Sequence, residues 1–159
     1  MIYISDESKE YIHYGSTTFD QTCWLEPTND WVKPRGGLWA SPIDAEFGWK
    51  DWNEWEKFSE CNDECSFKFT IKFGYRVLYL ESAEDFLTLD PKYISSGDVK
   101  SLFDDTSFKL VWIHLDFERL KSDGICAVEI KHNRVTNKAF HCWDCDSIVV
   151  LDKDAINVQ

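Results

Sequence analysis

The chain has 159 residues, of which 43% are hydrophobic and 29% charged, and its formal net charge is −12. Length and composition predict one soluble globular domain over residues 1–159 and exclude a disordered, collagen-like or membrane-spanning chain. The acidic charge disfavours non-specific binding to nucleic acid, because it repels phosphate backbones. Residues 1–8 lack the basic and apolar regions of a secretory signal, so we expect a cytoplasmic protein with no membrane partner.

The first third of the chain predicts two short strands and a helix. Residues 11–16 end at a glycine–serine pair and read as a strand, and residues 36–40 predict a second, buried strand. A helix is predicted from Ser41 to about residue 58, because Ser41 can cap it and Pro42 suits its first turn. Three tryptophans, Trp49, Trp52 and Trp55, repeat at every third position of this helix and share one broad face. Of these, Trp52 and Trp55 are predicted to belong to the core.

The rest of the chain predicts short strands separated by brief helices. Strict alternation or β-branched composition predicts strands over residues 66–73, 75–80, 125–130, 147–151 and 156–158, the last being an edge strand. A capping pattern at Ser82 begins a short helix, and a second helix over residues 116–121 ends at Gly124. Residues 88–109 are predicted to be irregular with one helical turn. This mixture defines the α+β class.

Six cysteines include two close pairs, which raises the question of a metal site. Cys61 and Cys65 are four positions apart, and Cys142 and Cys145 are three apart. Two such pairs can form a four-cysteine zinc site. The pairs lie far apart in sequence, however, and the second leads directly into a strand pattern. Reduced structural thiols and no metal are therefore predicted.

Few polar residues stand out as candidates for chemistry, and common motifs are missing. The chain has no phosphate-binding glycine loop, no dinucleotide fingerprint, no zinc-protease motif and no nucleophile elbow. The residues that remain to be weighed are His13, Arg35, Ser41, Asp144 and Asp146. Taken singly, each is more often a structural residue than a functional one.

Three separated segments, taken together, resemble the ADP-ribosyltransferase superfamily, in the branch that includes diphtheria toxin and the poly-ADP-ribose polymerases. The first strand ends His13-Tyr14-Gly15-Ser16, and the second runs Gly37-Leu38-Trp39-Ala40-Ser41 into a segment that carries Trp49. The last two strands begin at Asp146 and Ala155. The resemblance covers the whole chain but is carried by about fifteen residues.

This resemblance implies a fold and a site. The implied fold is a split β core of two small sheets with a few flanking helices and a cleft between the sheets. NAD is implied as the substrate, without a metal. The implied catalytic residues are Asp146, which would stabilise an oxocarbenium-like ribosyl cation, and His13, which would bind the adenine-side ribose. The residues implied to bind NAD are Tyr14, Gly15, Ser16, Arg35, Trp39, Ser41 and Trp49.

Within that set, Trp39 and Trp49 would sandwich the nicotinamide ring, and the Gly15 backbone would contact its amide. Ser41 would help to fix the acidic side chain. Arg35, with Lys33 beside it, is expected to meet the pyrophosphate.

The sequence departs from the family pattern at three positions, and these leave alternatives open. Tyr14 separates the histidine from the glycine, so that either His13 or Tyr14 would face the cleft. Trp39 stands where the family has tyrosine. Asp146 replaces the more common glutamate, which disfavours polymer formation, and Asp144 is the alternative acid.

The function implied is mono-ADP-ribosyl transfer from NAD to a macromolecular acceptor, with protein favoured over nucleic acid because the chain is so acidic. A toxin, effector or defence component would suit this activity. Two alternatives stay open. One is a non-catalytic acidic interaction or nucleotide-binding protein of the same fold, and the other is an NAD glycohydrolase.

Overall fold

Eight strands form one hydrogen-bonded mixed sheet in the computed structural model, which describes residues 1–59, 61–104, 106 and 112–159. Along the described chain the strands are β1 (Ile2–Ile4), β2 (Glu10–Tyr14), β3 (Thr28–Asp30), β4 (Lys33–Arg35), β5 (Leu38–Pro42), β6 (Ser66–Ile71), β7 (Arg76–Leu80), β8 (Ile94–Ser96), β9 (His114–Leu115), β10 (Ile125–Ile130), β11 (Ser147–Val150) and β12 (Ile156–Val158). The α-helices are α1 (Trp49–Glu56), α2 (Ala83–Thr88), α3 (Phe117–Ser122) and α4 (Arg134–Ala139). The predicted α+β class is confirmed.

Strand β5 divides the large sheet into two halves. The strand order is β1-β7-β10-β11-β5-β2-β6-β12. The segment Leu38–Ala40 of β5 pairs with β11, whereas Ser41 and Pro42 pair with β2. Hydrogen bonds therefore join all eight strands, where two small sheets were expected. The pairs β3–β4 and β8–β9 form separate two-stranded sheets.

The two faces of the sheet bury different apolar clusters. On one face, strands β7, β10 and β11 pack against all of the helices except α1, with Trp143 nearly fully buried among them. The other cluster joins Tyr11 and Phe69, from β2 and β6, to Ile148 and Val150 of β11. Residues from both halves of the sheet share this second cluster. The two halves therefore pack against each other as well as being continuous through β5.

The helix predicted to begin at Ser41 begins eight residues later. Ser41 and Pro42 are the last residues of β5, paired with Ile12 and Tyr11 of β2. Helix α1 starts at Trp49, after Gly48 as its N-cap. Capping signals are local, and here the pairing with β2 overrides them. The Ser41 hydroxyl still accepts a hydrogen bond from the Trp49 N–H, at 2.8 Å, so it caps a helix that begins across a turn.

Most of the other predicted elements are confirmed within one to three residues at their ends. Strands β2, β6, β7, β10, β11 and β12 lie where alternation placed them, and β12 is an edge strand of the large sheet. Ser82 and Asp85 form the capping box of α2, and Gly124 follows α3 with a φ of 84°. Residues 88–109 are more regular than the single helical turn that was predicted, because they contain two short 3-10 helices, over residues 91–93 and 99–103, and strand β8. Residues 105 and 107–109 of this segment lie outside the described residues.

The expectation that Trp55 belongs to the core is wrong. Its side chain is 77% exposed, and Trp52 is only half-buried. Helix α1 is short and lies at the edge of the cleft described below, so only part of its circumference meets the rest of the protein. A spacing of three residues brings side chains to one face of a helix without deciding which face is buried.

Candidate functional site

A cavity of about 300 Å³ brings together five of the residues predicted to bind NAD. We call it the Trp cavity, and its lining consists of His13, Tyr14, Gly15, Trp39, Trp49, Asn53, Phe58, Ser59 and Cys61. Strand β2 supplies His13 and Tyr14, Gly15 follows directly after it, β5 supplies Trp39, and α1 and the segment after it supply the others. Because β2 and β5 are paired in the sheet, segments far apart in sequence meet at this point.

The end of strand β2 places His13 and Tyr14 in the same cavity. The sequence predicted that only one of them would face it, since side chains alternate along a strand. Strand β2 ends at Tyr14, and Gly15 follows with a φ of 115°, a conformation that a residue with a Cβ rarely adopts. The chain turns away directly after the pair, and both residues line the cavity. The register of β2 against β6 is regular up to Tyr14, so the two side chains point to opposite faces of the sheet.

His13 is held by the protein through one ring nitrogen. Its Nδ1 lies 2.6 Å from the carbonyl oxygen of Trp39, and since a carbonyl only accepts, Nδ1 carries the proton. The ring also packs on Phe67 at 5.1 Å between centroids. In the neutral imidazole Nε2 then has a free lone pair. This nitrogen lies on the side of Gly15, where an added Cβ would be 3.9 Å from it.

A second cavity, of about 280 Å³, also has His13 in its lining. We call it the Phe19 cavity. It is lined by His13, Ser16, Thr18, Phe19, Asp20, Cys23, Trp24, Leu25, Gly37, Leu38 and Phe67. Phe19 and Trp24 meet edge to face at 6.2 Å. His13 therefore contributes to the lining of two cavities of similar size, each with aromatic rings in its wall.

The Trp39 and Trp49 rings have a lysine beside them. The Lys33 Nζ lies 5.2 Å from the centroid of the Trp39 ring and 5.6 Å from that of Trp49, within the range of cation–π attraction. Burial lowers the pKa of Lys33, and the negative charge of Asp144 acts in the opposite direction. The predicted aromatic pair is thus present, with a cation at both rings.

Ser41 connects the start of α1 to the start of β11. Its hydroxyl accepts from the Trp49 N–H and donates to the backbone carbonyl of Asp146, each at 2.8 Å. Ser41 is 2% exposed. It was predicted to fix the acidic side chain, and it holds the backbone of that residue instead, while positioning Trp49.

The Asp146 side chain lies in a different place from the two cavities around His13. One oxygen accepts the His132 N–H at 2.7 Å, and the other accepts from the Lys131 ammonium at 3.1 Å. Trp39 pairs with Val149 across β5 and β11, so the alternation of β11 directs Asp146 to the opposite face from Trp39. Asp146 lines a third cavity, of about 170 Å³, with Lys9, Pro42, Asp44, Ala45, Tyr79, Glu129, Ile130 and Lys131.

The remaining predicted residues lie at the margins of the cleft. Arg35 is exposed in β4, with Asp30 as an ion-pair partner at 3.9 Å, and lines neither cavity beside His13. Ser16 lines the Phe19 cavity, and its hydroxyl donates to the Thr18 carbonyl at 3.0 Å. Asp144 is exposed, and its charge acts on Lys33.

Sequence analysis missed a buried carboxylate, Glu129. It is 2% exposed and accepts hydrogen bonds from the hydroxyls of Tyr3 (3.1 Å) and Tyr11 (2.9 Å), and Lys9 forms an ion pair with it. Burial and the Glu129 charge raise the pKa of both tyrosines. Glu129 shares its cavity with Asp146. A single glutamate within the apolar pattern of β10 was the available signal, because an acid there must be paired or lie at an edge.

The cysteines are all free, and Cys126 and Cys145 are buried. Within the described residues, no group of three or more potential ligands is placed to hold a metal ion. Nor does the described part of the chain contain a helix with the length and apolar character needed to cross a membrane.

No protein-family model matches this chain, and no curated protein or solved structure is detectably similar to it. Its class is therefore defined by its own fold and site. The protein is an α+β protein with a cleft that consists of two aromatic-lined cavities that share one histidine.

Proposed function

We propose that the protein binds NAD in the cleft around His13 and transfers ADP-ribose from it to a macromolecular acceptor. The observation that carries this proposal is the division of the cleft into two ring-sized, aromatic-lined cavities that share His13. NAD has two ring-bearing halves joined by a flexible linker. In the proposed mode the nicotinamide enters the Trp cavity, the adenine side enters the Phe19 cavity, and His13 Nε2 accepts a hydrogen bond from a ribose hydroxyl.

The chemical step breaks the bond between nicotinamide and the ribose carbon C1′. Nicotinamide leaves with the bonding electron pair as a neutral molecule, and an oxocarbenium-like ribosyl cation develops. A nucleophile of the acceptor forms the new bond to C1′ and releases its proton to solvent. Such a cation is stabilised by a nearby carboxylate, as in glycoside hydrolysis.

Two aspartates compete for the role of that carboxylate. Asp146 is engaged by Lys131 and the His132 N–H, in a cavity that His13 does not line. Asp144 also lines neither cavity beside His13, but it is exposed, and its negative charge acts to raise the pKa of Lys33 beside the two tryptophans. We therefore assign the catalytic role to Asp144 and a structural role to Asp146. Arg35, exposed at the end of β4, is the cation proposed for the pyrophosphate.

A second candidate function is nucleotide binding without chemistry. The position of Asp146 favours this second function. The acid predicted to be catalytic lines a different cavity, whereas the predicted aromatic residues line the cleft. NAD hydrolysis without an acceptor is a third outcome of the same cleft, with water as the nucleophile.

NAD labelled in its adenylate phosphate, incubated with the purified protein and a cell lysate, tests the proposal. We expect label on macromolecules, sensitive to protease, with wild type and with Asp154→Asn, an exposed matched control. The Asp144→Asn protein should transfer none. Label in free ADP-ribose would indicate a hydrolase. Unchanged NAD with all proteins would contradict transfer and leave nucleotide binding as the function.

A further inference from the structure

The two tryptophans of the Trp cavity have a cation of the protein's own beside their rings, Lys33, which is not itself one of the residues that line the cavity. Lys33 begins β4, directly after the turn of the β3–β4 hairpin, where it pairs with Asp30 in the register. Two contacts fix the hairpin beside the cleft: the Trp143 indole N–H donates to the Val32 carbonyl at 3.1 Å, and the Trp143 ring meets Trp39 at 4.8 Å. The β3–β4 hairpin is therefore held in place by Trp143, and it positions Lys33 beside Trp39.

The two rings, and not a carboxylate, are the immediate partners of the Lys33 ammonium. Among the residues that the structure describes, no ion pair or hydrogen bond involves its Nζ, although Trp39 and Trp49 both lie within 6 Å. Burial lowers the pKa of Lys33, so the charged form is poorly solvated at this place. An ammonium between aromatic faces in a partly water-free setting is attracted by the ring quadrupoles.

We propose that Lys33 is the resting occupant of an aromatic cation site formed by Trp39 and Trp49, and that a flat organic cation has to displace it. Lys33 thereby sets the affinity of the Trp cavity for charged rings. The inference rests on the proposed function for the identity of the ring, since the nicotinamide of NAD carries a positive charge. A ligand can bind only those molecules in which Lys33 has left the site. Its apparent affinity is therefore the intrinsic affinity multiplied by the fraction of molecules in which the site is free.

A separate observation concerns the second group that such a ligand would carry. The indole Nε1 of Trp49 is buried and has no hydrogen-bond partner among the described residues. A buried donor without an acceptor is unfavourable, and a ligand oxygen would relieve this. A pyridinium ring that bears an amide combines the charge for the two rings with an acceptor for this N–H.

The test measures the affinity of 1-methylnicotinamide, a charged ring without ribose or phosphate, by calorimetric titration. Lys33→Met keeps the length of the side chain and removes its charge, so it should raise the affinity on the order of tenfold. Lys33→Arg keeps a cation that stacks on rings and should bind as wild type does. Lys100→Met changes the net charge equally, at an exposed site in a different part of the fold, and should have no effect.

Two results would overturn the inference. The first is an affinity of Lys33→Met within twofold of wild type, and the second is a lower affinity, which would mean that Lys33 contacts the ligand instead of competing with it. Thermal unfolding of each variant checks the fold, and Lys33→Gln replaces Lys33→Met if the latter is unstable.

The choice of probe separates this inference from the proposed function. Because 1-methylnicotinamide cannot be cleaved to ADP-ribose, its binding does not depend on transferase activity. A rise in affinity with no NAD turnover would support the cation site and contradict transfer. Turnover of NAD with no rise in the affinity of Lys33→Met for 1-methylnicotinamide would support transfer and contradict the cation site.

Discussion

The carboxylate of Asp146 is fully engaged by its neighbours, whereas that of Asp144 is exposed. Asp146 is 3% exposed and binds one charged and one backbone donor. Removing this carboxylate would leave both donors without an acceptor, which is unfavourable in a buried position. Asp146 therefore contributes mainly to the stability of the fold. Asp144, two residues earlier, lies outside the strand and near the Lys33 charge.

Exchanging each aspartate for asparagine should separate these roles. Asp144→Asn should lower NAD turnover by about 10²-fold or more, the scale of losing one preorganised electrostatic group, with an unchanged melting temperature. Asp146→Asn should keep most turnover and lower the free energy of unfolding by about 1–3 kcal/mol, because the Lys131 ammonium loses its buried partner and keeps the exposed Glu46. Turnover assays and chemical unfolding of both variants measure this. The assignment fails if Asp146→Asn is inactive and Asp144→Asn is fully active.

At the scale of single elements, the tryptophans of α1 differ from the buried tryptophan that precedes β11. Trp55 projects into solvent, and Trp143 is 2% exposed and packs on Phe117, Phe140 and Trp39. Trp143→Ala should therefore lower the free energy of unfolding by about 3–5 kcal/mol. Trp55→Ala, the matched control, should change it by less than about 0.5 kcal/mol. Denaturant unfolding compares the two, and equal losses would show that α1 packs more deeply than described.

Strand β10 gives the protein a pH dependence through Cys126. Burial raises the pKa of this thiol from 9.0 to about 12. Below pH 9 the thiol is protonated in both states; above pH 9 the unfolded chain releases the proton first. The free energy of unfolding should therefore fall as the pH rises from 9 towards 12, by up to about 1.4 kcal/mol per pH unit from this group.

Cys126→Ala removes that contribution, so its stability should decline less steeply than that of wild type between pH 9 and 11. The exposed Cys23→Ala is the control and should follow the wild-type curve. Urea unfolding at a series of pH values measures the slopes. Parallel curves for wild type and Cys126→Ala would contradict the burial of this thiol in the folded state.

Local patterns predicted the elements that such patterns control. Alternation over residues 66–71 and the capping box of Ser82 and Asp85 correspond to β6 and α2. Elements that depend on partners far away in sequence were missed: β1 is three residues long and exists by pairing with β7, and the tip of β5 is a strand because β2 pairs with it. The Asn133 cap of α4 was a local signal that sequence analysis overlooked.

The site was predictable in its aromatic part and not in its acidic part. The resemblance to the ADP-ribosyltransferase superfamily implied that His13, Trp39 and Trp49 meet, and these residues line one cavity. The direction of Asp146 depends on the register of β11 against β5 and on Lys131, which no local pattern contains. The position of Lys33 between two rings requires the fold of the β3–β4 hairpin against Trp143.

For the whole molecule, the central claim is that the cleft around His13 binds NAD. Both halves of the large sheet contribute, since β2 supplies His13 and β5 joins the halves at Trp39 and Ser41. A binding site at the point where the halves meet also explains why its residues come from distant parts of the sequence.

Calorimetric titration of NAD into wild type, His13→Ala and Tyr14→Phe tests that claim most directly. Wild type should bind one NAD per chain, and Tyr14→Phe should bind within twofold of it. His13→Ala should bind at least about tenfold more weakly, because the hydrogen bond that its Nε2 accepts and the ring shared by the two cavities are both lost. Absence of NAD binding to wild type, or undiminished binding to His13→Ala, would contradict the claim.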